Sequence, residues 1–230
     1  GTARELKPGS VAVLGAPHDA TSGAREGARY GPRAIRDASV DFGYDLEASA
    51  SNTLVDIETG KQLQLPSVGK LLDLGDVSVY PMSPGRSAAA LRSAASRVVR
   101  RGAFPVVLGG DAFITYPLVQ GVARGLGGSA PSIGYIQVSS QLNLGDAHVS
   151  LGKNWNGATA RRIMESGLVN PSNMVFLGIT GYAAAKEWEL AKSAGMTMVT
   201  VKALRESDIE RAAQCAQEVA GQGCEAIYLS

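Results

Sequence analysis

The sequence predicts an α/β protein, a three-layer α/β/α arrangement around a mostly parallel sheet. Two observations carry this. Apolar runs such as Phe104-Pro-Val-Val-Leu and Ile133-Gly-Tyr-Ile-Gln-Val end abruptly in small or polar residues, the pattern of strands buried on both faces. Segments of helical period separate such runs along the chain, and strand-helix-strand repetition with short turns builds parallel sheets. The 230 residues suit one domain spanning 1–230 with a substantial core.

Taken in order, Val11–Leu14 is a predicted strand, and Pro32 to Asp41 a helix with proline in its first turn. Asp45 to Ser67, rich in Ser, Asn and Thr, is expected to be a long surface excursion. Leu71 to Val77 is a strand. Ser83-Pro84 opens a helix as cap and first position, and Ala88, Leu91, Ala95, Val98 and Val99 keep its period until Gly102. After the Phe104–Leu108 strand, a helix near Tyr116–Arg124 leads through a glycine-rich turn to the strand from Ile133. Then follow a helix around Ala158–Ser166, a strand Met174–Ile179, a helix near Ala183–Ala194 and a strand Met196–Val201. A helix Glu206–Gly221, with its stripe at Ile209, Ala212, Ala213, Ala216 and Val219, precedes the last strand, Ala226–Leu229.

Charge excludes some functions. Twenty-two basic residues balance 21 acidic ones with no basic stripe, so nucleic acid is not expected as a partner. No apolar run approaches a membrane span and Gly1-Thr-Ala-Arg has no signal-peptide pattern, so a soluble cytoplasmic chain is expected. Cys215 and Cys224 lack zinc-type spacing and are expected to be structural thiols. Gly125-Leu-Gly-Gly lacks the Lys-Ser/Thr end of a phosphate loop. No Gly-x-Ser-x-Gly elbow occurs either.

Ligands of open α/β sheets sit beyond the carboxyl ends of strands, which places Asp111, Ala112, Ser139, Gln141 and Asn143 around an expected crevice. The segments are Gly109-Gly110-Asp111-Ala112 and Gln137-Val138-Ser139-Ser140-Gln141-Leu142-Asn143. They resemble the arginase/agmatinase family of ureohydrolases, whose members carry Gly-Gly-Asp-His and His-x-Asp-Ala-His-x-Asp there. The resemblance extends to Gly15-Ala-Pro-His18-Asp19, to Arg25-Glu-Gly-Ala-Arg29-Tyr-Gly31-Pro32-Arg-Ala-Ile-Arg36, to Asp73-Leu-Gly75-Asp76-Val77, and on to Tyr228-Leu-Ser230. The family continues from that point with an Asp-x-Asp ligand pair, so a carboxy-terminal part is expected to be missing. Trimers or hexamers, or a hetero-oligomer with an active paralogue, are the assemblies the resemblance implies.

The resemblance puts the family's metal-ligating His on Ala112, its Asp, His and Asp ligands on Ser139, Gln141 and Asn143, and its proton-shuttling His on Asn156. Attack on a guanidinium carbon needs hydroxide at neutral pH, which a water between two divalent ions supplies. Neutral oxygens do not offset two cations, and Asn cannot titrate. A catalytically inactive ureohydrolase-like protein without metal is the expectation, with a structural, regulatory or assembly role. The alternative is a Mn-dependent, agmatinase-like amidinohydrolase, either through a shifted register at Asp146-Ala147-His148 or as a mutated or truncated form of an active parent. His18, beside Asp19 and expected at the crevice edge, is a further base candidate. Asp111 is expected to accept hydrogen bonds at its strand end. The resemblance implies that Arg25, Arg29 and Arg36 are scaffold and subunit-contact residues, with carboxylate binding as their alternative.

Overall fold

The computed structural model describes residues 1–230 apart from 24, 50–52, 65–69 and 128–132, with backbone alone over 41–49. β1 (Val11–Ala16) leads through a 3-10 turn at Ala28–Tyr30 into α1 (Gly31–Ser49). A short antiparallel hairpin, β2 (Thr53–Val55) and β3 (Gln62–Gln64), precedes β4 (Leu71–Asp76). The rest alternates: α2 (Pro84–Arg100), β5 (Phe104–Gly109), α3 (Thr115–Leu126), β6 (Ile133–Val138), α4 (Thr159–Glu165) and β7 (Met174–Ile179). α5 (Ala185–Ser193), β8 (Thr197–Thr200), α6 (Val201–Glu206), α7 (Ile209–Gly221) and β9 (Ala226–Leu229) complete it.

The parallel strands form two hydrogen-bonded sets, β4-β1-β5 and β8-β7-β6-β9. One apolar cluster joins them: Ala16 of β1, Leu91 and Ala95 of α2, Leu118 of α3, Tyr135 of β6 and Met174 and Phe176 of β7 belong to the same core. Successive strand residues face opposite ways. Thus Tyr135 enters that core, while Ile136 packs on the far side with Val175 and with Ala216 and Ala220 of α7. Helix, sheet and helix are the three layers. Gly134 permits the closest approach in this stack, since a Cβ there would stand 1.9 Å from the Ala220 carbonyl oxygen.

Several expectations need correction. The expected excursion from Asp45 is helical as far as Ser49, and the β2-β3 hairpin occupies part of the remainder; residues 50–52 and 65–67 of it lie outside the described residues. β5 is not buried on both faces: Phe104 and Val106 alternate outward and are exposed, while Val107 packs against the core. Ser83 sits at the cap position of α2, yet its side chain makes no capping bond; its carbonyl instead accepts the Arg86 and Ser87 N–H groups. The expected Glu206–Gly221 helix begins at Ile209, and a separate short helix, α6, precedes it where no helix was expected. α6 starts at a Thr200 cap and α7 at an Asp208 cap, whose side chain accepts the Glu210 N–H. In α7, Ala216 and Ala220 are buried while Ile209 and Ala213 are exposed, so its inner face runs through 212, 216, 219 and 220. Of the two expected structural thiols, Cys215 is exposed and Cys224 is partly buried; both are free, and burial pushes the Cys224 thiol up.

Candidate functional site

The segment leaving β6 is held by neutral hydrogen bonds. Gln137, 3% exposed, accepts the Tyr135 hydroxyl at 2.8 Å and donates Nε2 to the Gln141 carbonyl at 2.6 Å. Ser139 Oγ accepts the Gln141 N–H at 3.1 Å, and the Ser139 N–H reaches Leu177 O of β7. Asn143 then turns the chain with φ of 52°, a conformation asparagine tolerates better than most residues. Its carbonyl accepts the Ala160 N–H of α4. The next N–H, of Leu144, donates to Glu187 Oε2 of α5 at 3.1 Å.

Between this segment, the 148–157 loop and the start of α5 lies a cleft of about 730 Å³, within the size range of small-molecule sites. Gln141, Asn143, His148 and Asn156 line it together with Trp155, Trp188 and Glu187. Trp155 fits because Gly145 and Gly157 have no side chain; a Cβ on Gly157 would overlap the indole at 2.3 Å.

The single expected crevice is divided. Asp111 and Ala112 line a separate cavity of about 290 Å³ between β5 and β9, with Thr115 and Ser230. Asp111 is buried and fully engaged: it accepts the Thr21 hydroxyl at 2.9 Å and the Phe113 N–H at 3.1 Å, capping the 3-10 turn after β5. His18 does not stand at a crevice edge. It is 2% exposed, stacked on Phe113 with centroids 4.8 Å apart, and its Nδ1 lies 3.6 Å from Asp111 Oδ1. Neither ring nitrogen hydrogen-bonds to another described residue. The Ala16 and His18 carbonyls accept the Gly110 and Asp111 N–H groups, which draws the end of β1 over that of β5 and encloses the imidazole.

The shifted register is not assembled. Asp146 is exposed and pairs with Arg162 at 3.1 Å and Arg161 at 3.8 Å; the Arg162 hydrogen bond, chiefly, holds its carboxyl below the usual range. His148 sits in a tight antiparallel bridge with Gly152, its Nδ1 accepting the Ser150 N–H and its ring 5.2 Å from Trp155. It reaches the cleft, and Asp146 does not line it. Of the arginines, Arg29 holds Asp19 at 2.6 Å and Arg36 grips Asp73 and Asp76 at 2.7 and 2.6 Å. Burial pushes the Asp19 carboxyl up, but the Gly27 and Arg29 N–H groups and the Arg29 guanidinium more than reverse this and leave it lowered. Arg36 is raised by its hydrogen bonds to Asp73 and Asp76.

A pair of divalent ions does not fit this donor set. Ala112 has no donor atom, Gln137 is committed to Tyr135 and Gln141, and Ser139 Oγ is committed to the turn. The remaining oxygens of Gln141 and Asn143 are neutral, while manganese is held by carboxylate with some imidazole. Among the described residues, no group of three or more His, Cys, Asp or Glu converges.

Glu187, Trp155 and Trp188 were not singled out from the sequence. The only sequence signal for the tryptophans was their rarity, two in the chain. Nothing local marks Glu187, whose backbone partner lies 43 residues earlier.

Comparison with known proteins agrees with the architecture. The sequence profile described as "Arginase family" matches residues 9–230. The chain is 34% identical over 173 residues to the human mitochondrial guanidino acid hydrolase, covering 74% of this chain and 44% of that protein. It is 26% identical to the Pseudomonas aeruginosa guanidinobutyrase, covering 98% of this chain and 65% of the relative. The chain thus spans about half the length of several curated relatives it matches. Among solved structures, formimidoylglutamase from Bacillus subtilis superposes with a TM-score of 0.78 at 21% identity, over 97% of this chain and 64% of that one. Proclavaminate amidino hydrolase from Streptomyces clavuligerus does so with 0.73 at 22%, over 98% and 68%. At those identities the likeness is one of fold.

Proposed function

The chain belongs to the arginase family, and from that premise we propose that it is a metal-independent member. Its cleft beyond β6 binds a small ligand without hydrolysing it, and the protein serves a structural, regulatory or assembly role, as a homo-oligomer or beside an active paralogue. The observation that supports this reading is that Gln141, Asn143 and Asn156 in the cleft, Ser139 just before it and Ala112 in the neighbouring cavity are all neutral. Hydroxide at neutral pH requires an anionic cage for its metal. These residues offer none.

The comparisons favour a second reading. Relatives along the same chain are named guanidino acid hydrolase, agmatinase and guanidinobutyrase, and a Trypanosoma cruzi formiminoglutamase with the same fold is described with Mn²⁺. On that reading the protein hydrolyses a guanidino compound to an amine and urea with Mn²⁺. Metal content after Mn²⁺ loading, measured with urea release from agmatine, arginine and 4-guanidinobutyrate, separates the two. Folded protein with neither metal nor urea supports the first reading; about two ions per chain with turnover, the stoichiometry of a two-metal site, supports the second.

A further inference from the structure

We propose that the cleft selects a primary ammonium over a guanidinium group, with Glu187 as the residue that sets the preference. This rests on the reading of the cleft as a metal-independent binding site. Among its described lining residues, Glu187 is the only carboxylate, and no Lys or Arg lines it. Glu187 forms no ion pair among the described residues either. Glu187 is thus the one carboxylate in the described lining, which it shares with His148, and a single carboxylate suits a monocation and falls short of two divalent ions.

The carboxylate's geometry narrows the class. Oε2 already accepts the Leu144 N–H, which leaves Oε1 as the uncommitted oxygen. A guanidinium presents two parallel N–H groups and asks for both oxygens side by side. An ammonium is a compact charge with three diverging donors. One carboxylate oxygen with neutral acceptors nearby satisfies it, and the cleft supplies such acceptors in Asn143, Gln141 and Ser140.

The walls agree. Indole faces attract cations, and Trp155 and Trp188 both line the cleft. Trp188 already meets one primary ammonium, that of Lys192 one turn along α5, whose Nζ lies 6.0 Å from its ring centroid. The apolar parts of these rings accommodate the alkyl chain attached to the charged head.

Calorimetry on the chelator-treated protein with n-hexylammonium, n-hexylguanidinium and neutral n-hexanol tests this. Binding in the order ammonium, guanidinium, alcohol is expected, with E187Q weakening the ammonium at least about tenfold through loss of a charge-assisted bond. E187Q keeps an oxygen for the Leu144 N–H, and W188A provides a second variant, expected to weaken both cations while leaving the melting temperature near that of the parent. Guanidinium binding equal to or tighter than ammonium, or no cation binding at millimolar concentration, overturns the proposal. Urea release after Mn²⁺ loading would instead overturn the proposed function, and leaves the selectivity measured under chelation readable by itself.

Discussion

Gln137 Nε2 donates to the Gln141 carbonyl at 2.6 Å while its Oε1 accepts the Tyr135 hydroxyl at 2.8 Å. The amide thus uses both ends to tie β6 to the segment that follows it. A residue spent in this way stabilises the turn and is not free to hold an ion.

Q137A leaves the Tyr135 hydroxyl buried without its acceptor. Burial already raises that phenol far above its ordinary value, so ionisation gives no relief. A loss of about 1–3 kcal/mol is expected, read by urea denaturation with an unchanged m-value.

H18F keeps an aromatic ring on Phe113 and removes two buried ring nitrogens that bond to no described residue. Replacing unsatisfied polar atoms by apolar ones of similar shape is neutral or stabilising. The melting temperature is expected to hold or rise; a fall would show that the imidazole makes a needed bond.

Asp19 carries the acid sensitivity of the amino-terminal loop. Its folded-state carboxyl is lowered: burial opposes this, and the Gly27 and Arg29 donors outweigh the burial. The stability it contributes is therefore present above the unfolded carboxylate value, about 3.9, and is lost as pH falls through the lowered folded value. D19N is expected to be less stable than the parent at pH 7, and the difference to shrink in thermal melts as pH falls below about 4.

G134A places a methyl group against the Ala220 carbonyl oxygen, where only 1.9 Å is available. α7 must then lift from β6, at a cost of about 1–3 kcal/mol or more. Loss of hydrogen-exchange protection confined first to residues 209–221 is the expected signature.

The architecture was legible because strand burial leaves a one-dimensional trace. β7, the run Met174–Ile179, and β9, Ala226–Leu229, fall where their apolar residues begin and end. α1 overran its expected end because weak period and polar composition near Asp45 understate a helix that starts well at Pro32. α7 starts three residues later than its expected Glu206 because Asp208 caps it, and α6 went unread before it. The site was legible in part. Of the strand-end residues, Gln141 and Asn143 line the cleft, and His148 and Asn156, which strand-end placement had not grouped with them, line it too. His18 went inward because backbone bonds between the ends of β1 and β5 enclose it, and Asp111 faces another cavity. Such long-range closures, like the reach of Glu187 to Leu144, leave no local pattern to read.

The proposed lack of a metal cage predicts the effect of restoring its donors. The combined variant A112H/S139D/Q141H/N143D returns two imidazoles and two carboxylates to the ends of β5 and β6, the donors manganese prefers. It is expected to gain Mn²⁺ affinity over the parent in equilibrium dialysis; equal binding by both would deny these positions any part in metal affinity.

The most direct measurement is manganese content of the folded parent protein after loading and desalting, by elemental analysis, with diffraction at the manganese edge to locate any ion. The account predicts no stoichiometric metal and no paired peaks near Ala112, Ser139, Gln141 and Asn143. About two ions per chain, seen as paired peaks beside those residues, would contradict it.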